Sequence, residues 1–315
     1  MKRLCYLLLL LFLSCSNKFY SALPITTPQI FAEGVISLKD KNVFNICFAP
    51  SGRTVYFTWR KGDEKQKIYS SNFKNNTWSN PEVCSFSTDR DETPFVTPDG
   101  RTLYFGSSRP IEGKPSEGNF DMNIWQTKWT GKKWENPTPL PSVINALQIE
   151  KEEWPSSNES FIYTNDGTNF LICTMLRGTK NIDIYETRLA NNSFSPLVKI
   201  DGLMDQPNIW KSSAVLSPDG KYLLFNAYGA QDGFGGEDIY VSKKVGGKWS
   251  KAKNLGSIIN TTTEEGNPRF SPDGKYFFFS RDLKTDPTKD GIATIFYMET
   301  KYLFFSKLFN QTTNK

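Results

Sequence analysis

One short phrase returns along the chain with the same apolar sequel each time, and it restricts the fold more than any other feature. It reads Ser-Pro-Asp-Gly-Lys-Tyr at 217–222 and again at 271–276, followed by Leu223, Leu224 and Phe225 in one place and Phe277, Phe278 and Phe279 in the other. Variants stand at 49–57 (Ala-Pro-Ser-Gly-Arg-Thr-Val-Tyr-Phe) and 97–105 (Thr-Pro-Asp-Gly-Arg-Thr-Leu-Tyr-Phe). Proline presets φ at the first central position of a turn, Asp tolerates the next, and Gly supplies the positive φ that closes it. The aromatic-rich run that follows suits a buried strand. Each phrase is therefore a hairpin whose second strand lies in a core.

The spacing turns hairpins into an architecture. Gly52 to Gly100 is 48 residues and Gly220 to Gly274 is 54, while the 120 between Gly100 and Gly220 leave room for one worn copy. Two stretches compete for its turn. One is Glu153-Trp154-Pro155-Ser156-Ser157-Asn158, ahead of Phe161-Ile162-Tyr163, and the other is Thr164-Asn165-Asp166-Gly167, ahead of Phe170-Leu171-Ile172. Either choice gives five units, with a sixth left open by the competing turns across 141–175. Periods of roughly 40–50 residues with several short strands each mark the blades of a β-propeller.

Two more phrases recur inside each unit. Lys67-Ile68-Tyr69-Ser70, Asn123-Ile124-Trp125-Gln126, Asp183-Ile184-Tyr185-Glu186, Asp238-Ile239-Tyr240-Val241 and Thr294-Ile295-Phe296-Tyr297 read as third strands. Thr77-Trp78-Ser79-Asn80-Pro81, Lys133-Trp134-Glu135-Asn136-Pro137, Ser193-Phe194-Ser195-Pro196 and Lys248-Trp249-Ser250-Lys251 open fourth strands. Pro suits an outer edge, where no ladder donor is required. The fifth unit lacks this last phrase. Residues 28–37, Pro-Gln-Ile-Phe-Ala-Glu-Gly-Val-Ile-Ser, resemble the fourth strands at 138–144 and 253–259. They are expected to close the ring as the outer strand of blade five, removing the exposed sheet edges. The predicted fold is all-β: a propeller of five four-stranded blades closed by the N-terminal strand.

Ahead of the repeats, Lys2 and Arg3 precede an apolar run over 4–13, too short to span a bilayer, which needs ~20 residues. Phe12-Leu13-Ser14-Cys15 matches a bacterial lipoprotein signal box apart from Phe12, where Leu is usual. The reading is a signal peptide over 1–14, lipid attachment at Cys15, a tether over 15–27 and one propeller domain over 28–315; an ordinary cleaved secretory peptide is the alternative. Removing Lys2 and Arg3 takes the net charge from +5 to about +3, too weak and scattered for nucleic acid. Of the remaining cysteines, Cys47 and Cys84 fall on the first and last strands of blade one, about 14 Å apart at ~4.8 Å per strand. A disulfide wants Cβ atoms ~3.8 Å apart, so buried free thiols are expected.

The phrases at 271–276, Gly236-Glu237-Asp238-Ile239-Tyr240 and Gly247-Lys248-Trp249-Ser250 resemble the WD-like repeat of TolB-type propellers. The likeness is nearer to bacterial envelope lipoproteins built wholly of such repeats, whose start Ile30-Phe31-Ala32-Glu33-Gly34-Val35-Ile36-Ser37 also resembles. It covers about 28–303. The resemblance implies a binding propeller on the cell envelope, without assigned activity. TolB-type rings are six-bladed, whereas five units are counted here.

The chemistry is bounded first by what is missing. The chain contains no histidine, which removes His-based triads, His proton shuttles and His-ligated zinc. Gly233-Phe234-Gly235-Gly236 is followed by no Gly-Lys-Ser/Thr, so it reads as a loop between strands, not a phosphate cradle. Carboxylates recur ahead of first strands: Asp89, Asp91 and Glu92, then Glu152 and Glu153, then Glu264 and Glu265. Arginines recur after second strands at Arg60, Arg109 and Arg281, with Arg177 after the competing blade-three strand. First strands line the channel of a propeller, so Asp91, Glu92, Glu153, Glu265, Arg60, Arg109 and Arg281 are the candidates for a polar channel mouth that binds a ligand. The competing readings are ion-pair staples between neighbouring blades and paired carboxylates for glycoside hydrolysis. Trp59, Trp125, Trp129, Trp154 and Trp210 could stack on sugars or pack blades. Ser71–Trp78 keeps only the ends of a sialidase Asp box. The expectation is a monomeric, non-catalytic, lipid-anchored envelope protein that needs no cofactor or metal, meets the membrane only through its lipid, and binds a protein or glycan. A carbohydrate-active enzyme is the alternative.

Overall fold

The structure, a computed structural model, describes residues 23–113, 122–147, 157–176, 179, 181–283 and 291–310. Five antiparallel sheets are arranged as the blades of a β-propeller, each with three long strands and a short outer edge. Blade one runs Asn42–Phe48, Thr54–Arg60 and Lys67–Lys74, with Thr77–Trp78 and Glu82–Val83 outside. Blade four repeats the plan with Trp210–Leu216, Tyr222–Tyr228 and Glu237–Val245. The turn glycines Gly52, Gly100, Gly167, Gly220 and Gly274 all take φ between 67° and 74°. The blade-three turn is therefore Thr164-Asn165-Asp166-Gly167, between Ser157–Tyr163 and Asn169–Met175. Asn165 stands where the other turns carry Pro, and Asp166 compensates by accepting the Thr168 and Asn169 amides at 2.7 and 2.8 Å.

The chain closes as expected, by a shorter strand than expected. Only Gln29–Ile30 pairs with the third strand of blade five, Gln29 opposite Tyr297 and Ile30 opposite Phe296. The chain then turns, with Ala32 at φ 45° and Gly34 at φ 79°. Phe31 drops into the gap between blades five and one, edge-on to Phe48, Trp78, Phe278 and Tyr297. Ile36 follows it into the core. Within the segment expected to be a tether, Ile25 is buried and exchanges hydrogen bonds with Glu299, whose amide donates to the Ile25 carbonyl at 3.0 Å.

The same two-residue edge followed by a plugging isoleucine recurs at Ile144 and Ile259. There the missing ladder is completed by side chains. Asn145 and Asn260 each accept the backbone amide and donate to the carbonyl of a third-strand isoleucine, Ile124 or Ile239, at 2.9 Å. This satisfies buried backbone groups that water cannot reach. The second strands form the core, with Phe57, Phe105, Phe225 and Phe279 fully buried opposite Tyr69, Trp125, Tyr240 and Phe296. Cys47, Cys84 and Cys173 are buried free thiols. Among the described residues no helix is long and apolar enough to cross a membrane.

Candidate functional site

Each inner strand carries a bulge where it lines the channel. The register slips between Phe44 and Cys47, Glu92 and Phe95, Ser212 and Val215, and Gly266 and Arg269. In each slip one non-glycine residue takes positive φ: Asn45, Thr93, Ser213 and Asn267, at 54–57°. Such a backbone costs about 1–3 kcal/mol and persists only where the surroundings hold it. At two of the four the preceding blade holds it. The Thr93 amide donates to Thr58 Oγ1 at 3.1 Å, and the Asn267 amide donates to Asn226 Oδ1 at 3.0 Å. Asn267 also accepts from Ser213 Oγ and donates to Ser280 Oγ. The bulges make a polar belt and separate two unlike ends of the channel.

At the end where the chain enters each blade, the predicted acids meet the predicted arginines. Asp91 and Glu265 occupy the same place on their strands, and both are fully buried. Asp91 Oδ2 lies 3.0 Å from Arg109 Nη2, and Glu265 Oε1 lies 2.9 Å from Arg281 Nε. The pairs form within a blade, not between neighbouring blades as the staple reading has them. Each arginine also donates to a carbonyl of the segment arriving from the previous blade, Phe86 O or Ile259 O. Each lies near two aromatic rings, Arg109 at 5.2 and 5.6 Å from Phe105 and Trp125, Arg281 at 5.3 and 4.7 Å from Phe279 and Phe296. The acids bind the same segment, Asp91 through Ser87 Oγ and Glu265 through the Thr261 amide. Burial raises the Asp91 carboxyl above its ordinary value, against the pull of Ser107, Arg109 and Ser87. Arg281 sits directly opposite Glu265, whereas Asp91 is opposite Ser107, two residues short of Arg109. The two clamps are built from different positions.

The other candidates lie apart from these clamps. Glu92 is half-buried, accepts from Gln66 Nε2 and lies 3.6 Å from Arg90. Arg60 ends the second strand of blade one opposite Asn42. Glu153, Glu152, Arg177, Trp154 and Cys15 lie outside the described residues. In blade four the equivalent of Asp91 is Lys211, whose ammonium is 2.6 Å from Asp183 of blade three. That one is a staple between blades. Among the described residues no cluster of three or more Cys, Asp or Glu could hold a metal ion.

Beside Lys211 the face opens. Trp210 and Tyr228 are 43% and 52% exposed, with ring centroids 6.1 Å apart. They border a cavity of about 170 Å³ with Ile182, Ser212 and Glu237. Glu237 Oε1 accepts from Asn226 Nδ2 at 3.1 Å. The adjoining Gly-rich loop is held from below: the Phe234 and Gly235 amides donate to Asp238 at 2.6 and 3.1 Å. A Cβ at Gly235 would meet Thr263 O at 1.7 Å, so glycine is required for the loop to lie against its neighbour. The Gly233, Phe234 and Gly235 amides are already taken, and the loop presents Phe234 to solvent. Of the other candidate tryptophans, Trp59 and Trp125 are buried packing and Trp129 is exposed beside Trp134. Tyr228 carried no repeat signal and was not foreseen.

No family model matches the chain. It is 26% identical over 267 residues to an uncharacterized peptidase, YuxL, of Bacillus subtilis (strain 168). The match covers 82% of this chain and 31% of that protein, so the chain spans less than a third of the relative. Among solved structures it is similar to TolB from Acinetobacter baumannii, with TM-score 0.48, 17% identity, and coverage of 80% and 56% of the two chains. It is also similar to the catalytic domain of a GH62 α-L-arabinofuranosidase from Coprinopsis cinerea, with TM-score 0.51, 11% identity, and coverage of 89% and 99%. Only the second is near enough in shape to bear on architecture, and at that identity it bears on architecture alone.

Proposed function

We propose that this chain is a lipid-anchored propeller of the cell envelope that binds a protein or glycan partner and catalyses nothing. The observation that supports this most is the fate of the mouth acids. Asp91 and Glu265, the two carboxylates that the repeat places alike, are spent on buried ion pairs. A general acid or nucleophile must reach a substrate, and these reach only their clamps. What the same face offers instead is open aromatic surface at Trp210, Tyr228 and Phe234, the residue types that anchor partners and stack on sugar rings. The lipid anchor rests on the signal box ending at Cys15.

Crosslinking in the native envelope tests the reading. A captured partner that is lost from a W210A/Y228A variant supports it. Intact labelling of the lipid fraction in a Cys15→Ser variant removes the anchor from the proposal. A second reading, a carbohydrate-active enzyme, is favoured by Glu237, a half-buried carboxylate beside Trp210 and Tyr228. Hydrolysis on a glycan panel that E237Q abolishes would replace the first reading with the second.

A further inference from the structure

The turn end of the channel is built on a different principle. Just past the bulges, Cys47, Phe95, Val215 and Arg269 stand at one level on four inner strands, opposite Tyr56, Tyr104, Leu224 and Phe278. Three of the four are weakly polar or apolar and the fourth is a guanidinium. Arg269 is 4% exposed. Its Nη1 donates to Pro268 O at 3.0 Å, and its guanidinium carbon lies 4.4 Å from the centroid of Phe161. Among the described residues Nε and Nη2 have no hydrogen-bond partner, and no carboxylate pairs with the guanidinium. A buried polar group of this kind is rare in native proteins and calls for a reason, since leaving a charge unpaired away from water is expensive. Burial lowers its pKa to about 10, which leaves it charged at neutral pH.

The unused donors are the two on one edge of the guanidinium, the fork that meets a carboxylate with two parallel hydrogen bonds. That edge is sealed from solvent, but its side chain lines a cavity of about 400 Å³ inside the ring of turns, a size within the ordinary range for small-molecule sites, and a turn of the guanidinium would bring the edge to a ligand there. The turn prolines Pro50, Pro98, Pro218 and Pro272 form its walls with Phe48 and Phe270. No second cation lines it. A dianion would bring one charge more than the site neutralises, and a fully polar ligand would waste the walls.

We propose that the turn end of the channel binds a monocarboxylate carried on an apolar body, its carboxylate accepting two hydrogen bonds from Nε and Nη2 of Arg269. The site lies across the polar belt from Trp210 and does not depend on what that face binds. The carboxylate could come from a free acid or from the C-terminus of a peptide, and the two sources separate in one experiment. The full chain is titrated calorimetrically with hydrocinnamate, with hydrocinnamamide, with the peptide Gly-Gly-Phe carrying a free or an amidated C-terminus, and with inorganic phosphate. The expected result is that a free carboxylate binds about tenfold or more tighter than its amide, the discrimination of a charge-assisted fork. R269K keeps the charge but loses the fork, so it should lose most of that discrimination, and R269M all of it. Hydrocinnamate alone binding indicates a small acid, and the free peptide alone indicates a chain terminus. Equal binding of acid and amide, binding unchanged in a folded R269M, no binding of any carboxylate, or a preference for phosphate would overturn the assignment.

Discussion

Three arginines, one buried and two half-buried, face the same channel, and the two ends of the molecule use them in opposite ways. Arg109 and Arg281 each meet an acid, a backbone carbonyl and aromatic rings, and Nη1 of Arg109 is left without a hydrogen bond. Arg269 meets one carbonyl and one ring face, and its fork is idle. The first pattern is how a propeller fastens an incoming segment to its next blade. The second stores a charge at a cost and is intelligible if something outside the chain completes it. Burial of a charged side chain therefore says little by itself; a missing counter-charge and an idle two-donor edge separate a receptor from a fastening.

The largest expected effect comes from breaking a clamp. E265Q strips the half-buried Arg281 of its counter-charge and should cost about 3–5 kcal/mol in denaturant unfolding. Replacing both partners by apolar residues, E265L/R281M, should cost less than E265Q alone, and a larger loss would deny that the pair is the clamp. At the other end the sign reverses. R269M removes an unpaired buried charge and should raise stability by about 1–3 kcal/mol; destabilisation by a similar amount would mean that Arg269 is already satisfied.

Next in size is a response to acid. The Thr97 hydroxyl and the Arg101 amide hold the turn carboxyl of Asp99 below its ordinary value. Burial works the other way at Asp219 and Asp273, but hydrogen bonds from Ser217 and Ser271 and from the Lys221 and Lys275 amides outweigh it. A carboxyl depressed in the fold stabilises fully above its unfolded pKa, about 3.9, and loses that stabilisation as the pH falls through the folded value. The melting temperature should fall as the pH is taken below about 4, and less steeply in a D99N/D219N/D273N variant. The smallest effect is expected at Trp210. W210A should leave stability within about 0.5 kcal/mol, because the ring is exposed, while a partner of that face is lost.

The architecture was legible because its signals are local. Pro-Asp-Gly fixes a turn wherever it stands, and the match of 28–37 to two fourth strands predicted the latch. Blade three was ambiguous because Asn165 replaces Pro and Ser-Ser-Asn at 156–158 offers a rival turn. The length of the latch was not legible, since Ala32 at positive φ breaks the strand after two residues and nothing in an alanine announces that. The acids and arginines were found, but their burial was not, because sealing Asp91 depends on Ser87, Arg109 and a ring two strands away. Arg269 left a trace that went unused: it is a charge at a strand position that reads Cys47, Phe95 and Val215 in other blades. Such a break in a repeat is visible without coordinates, though only the fold shows that its fork is idle.

The latch has a mechanical consequence. Gln29 and Ile30 hold the circle shut with one short ladder, and Ile25 grips Glu299 just ahead of it. Any pull applied upstream of Ile25 passes through these few bonds before it reaches the rest of the molecule. Two antiparallel residue pairs and one plugged ring, Phe31, therefore set the force at which the circle would unzip, and a tug on the leading end loads the seam between the last blade and the first.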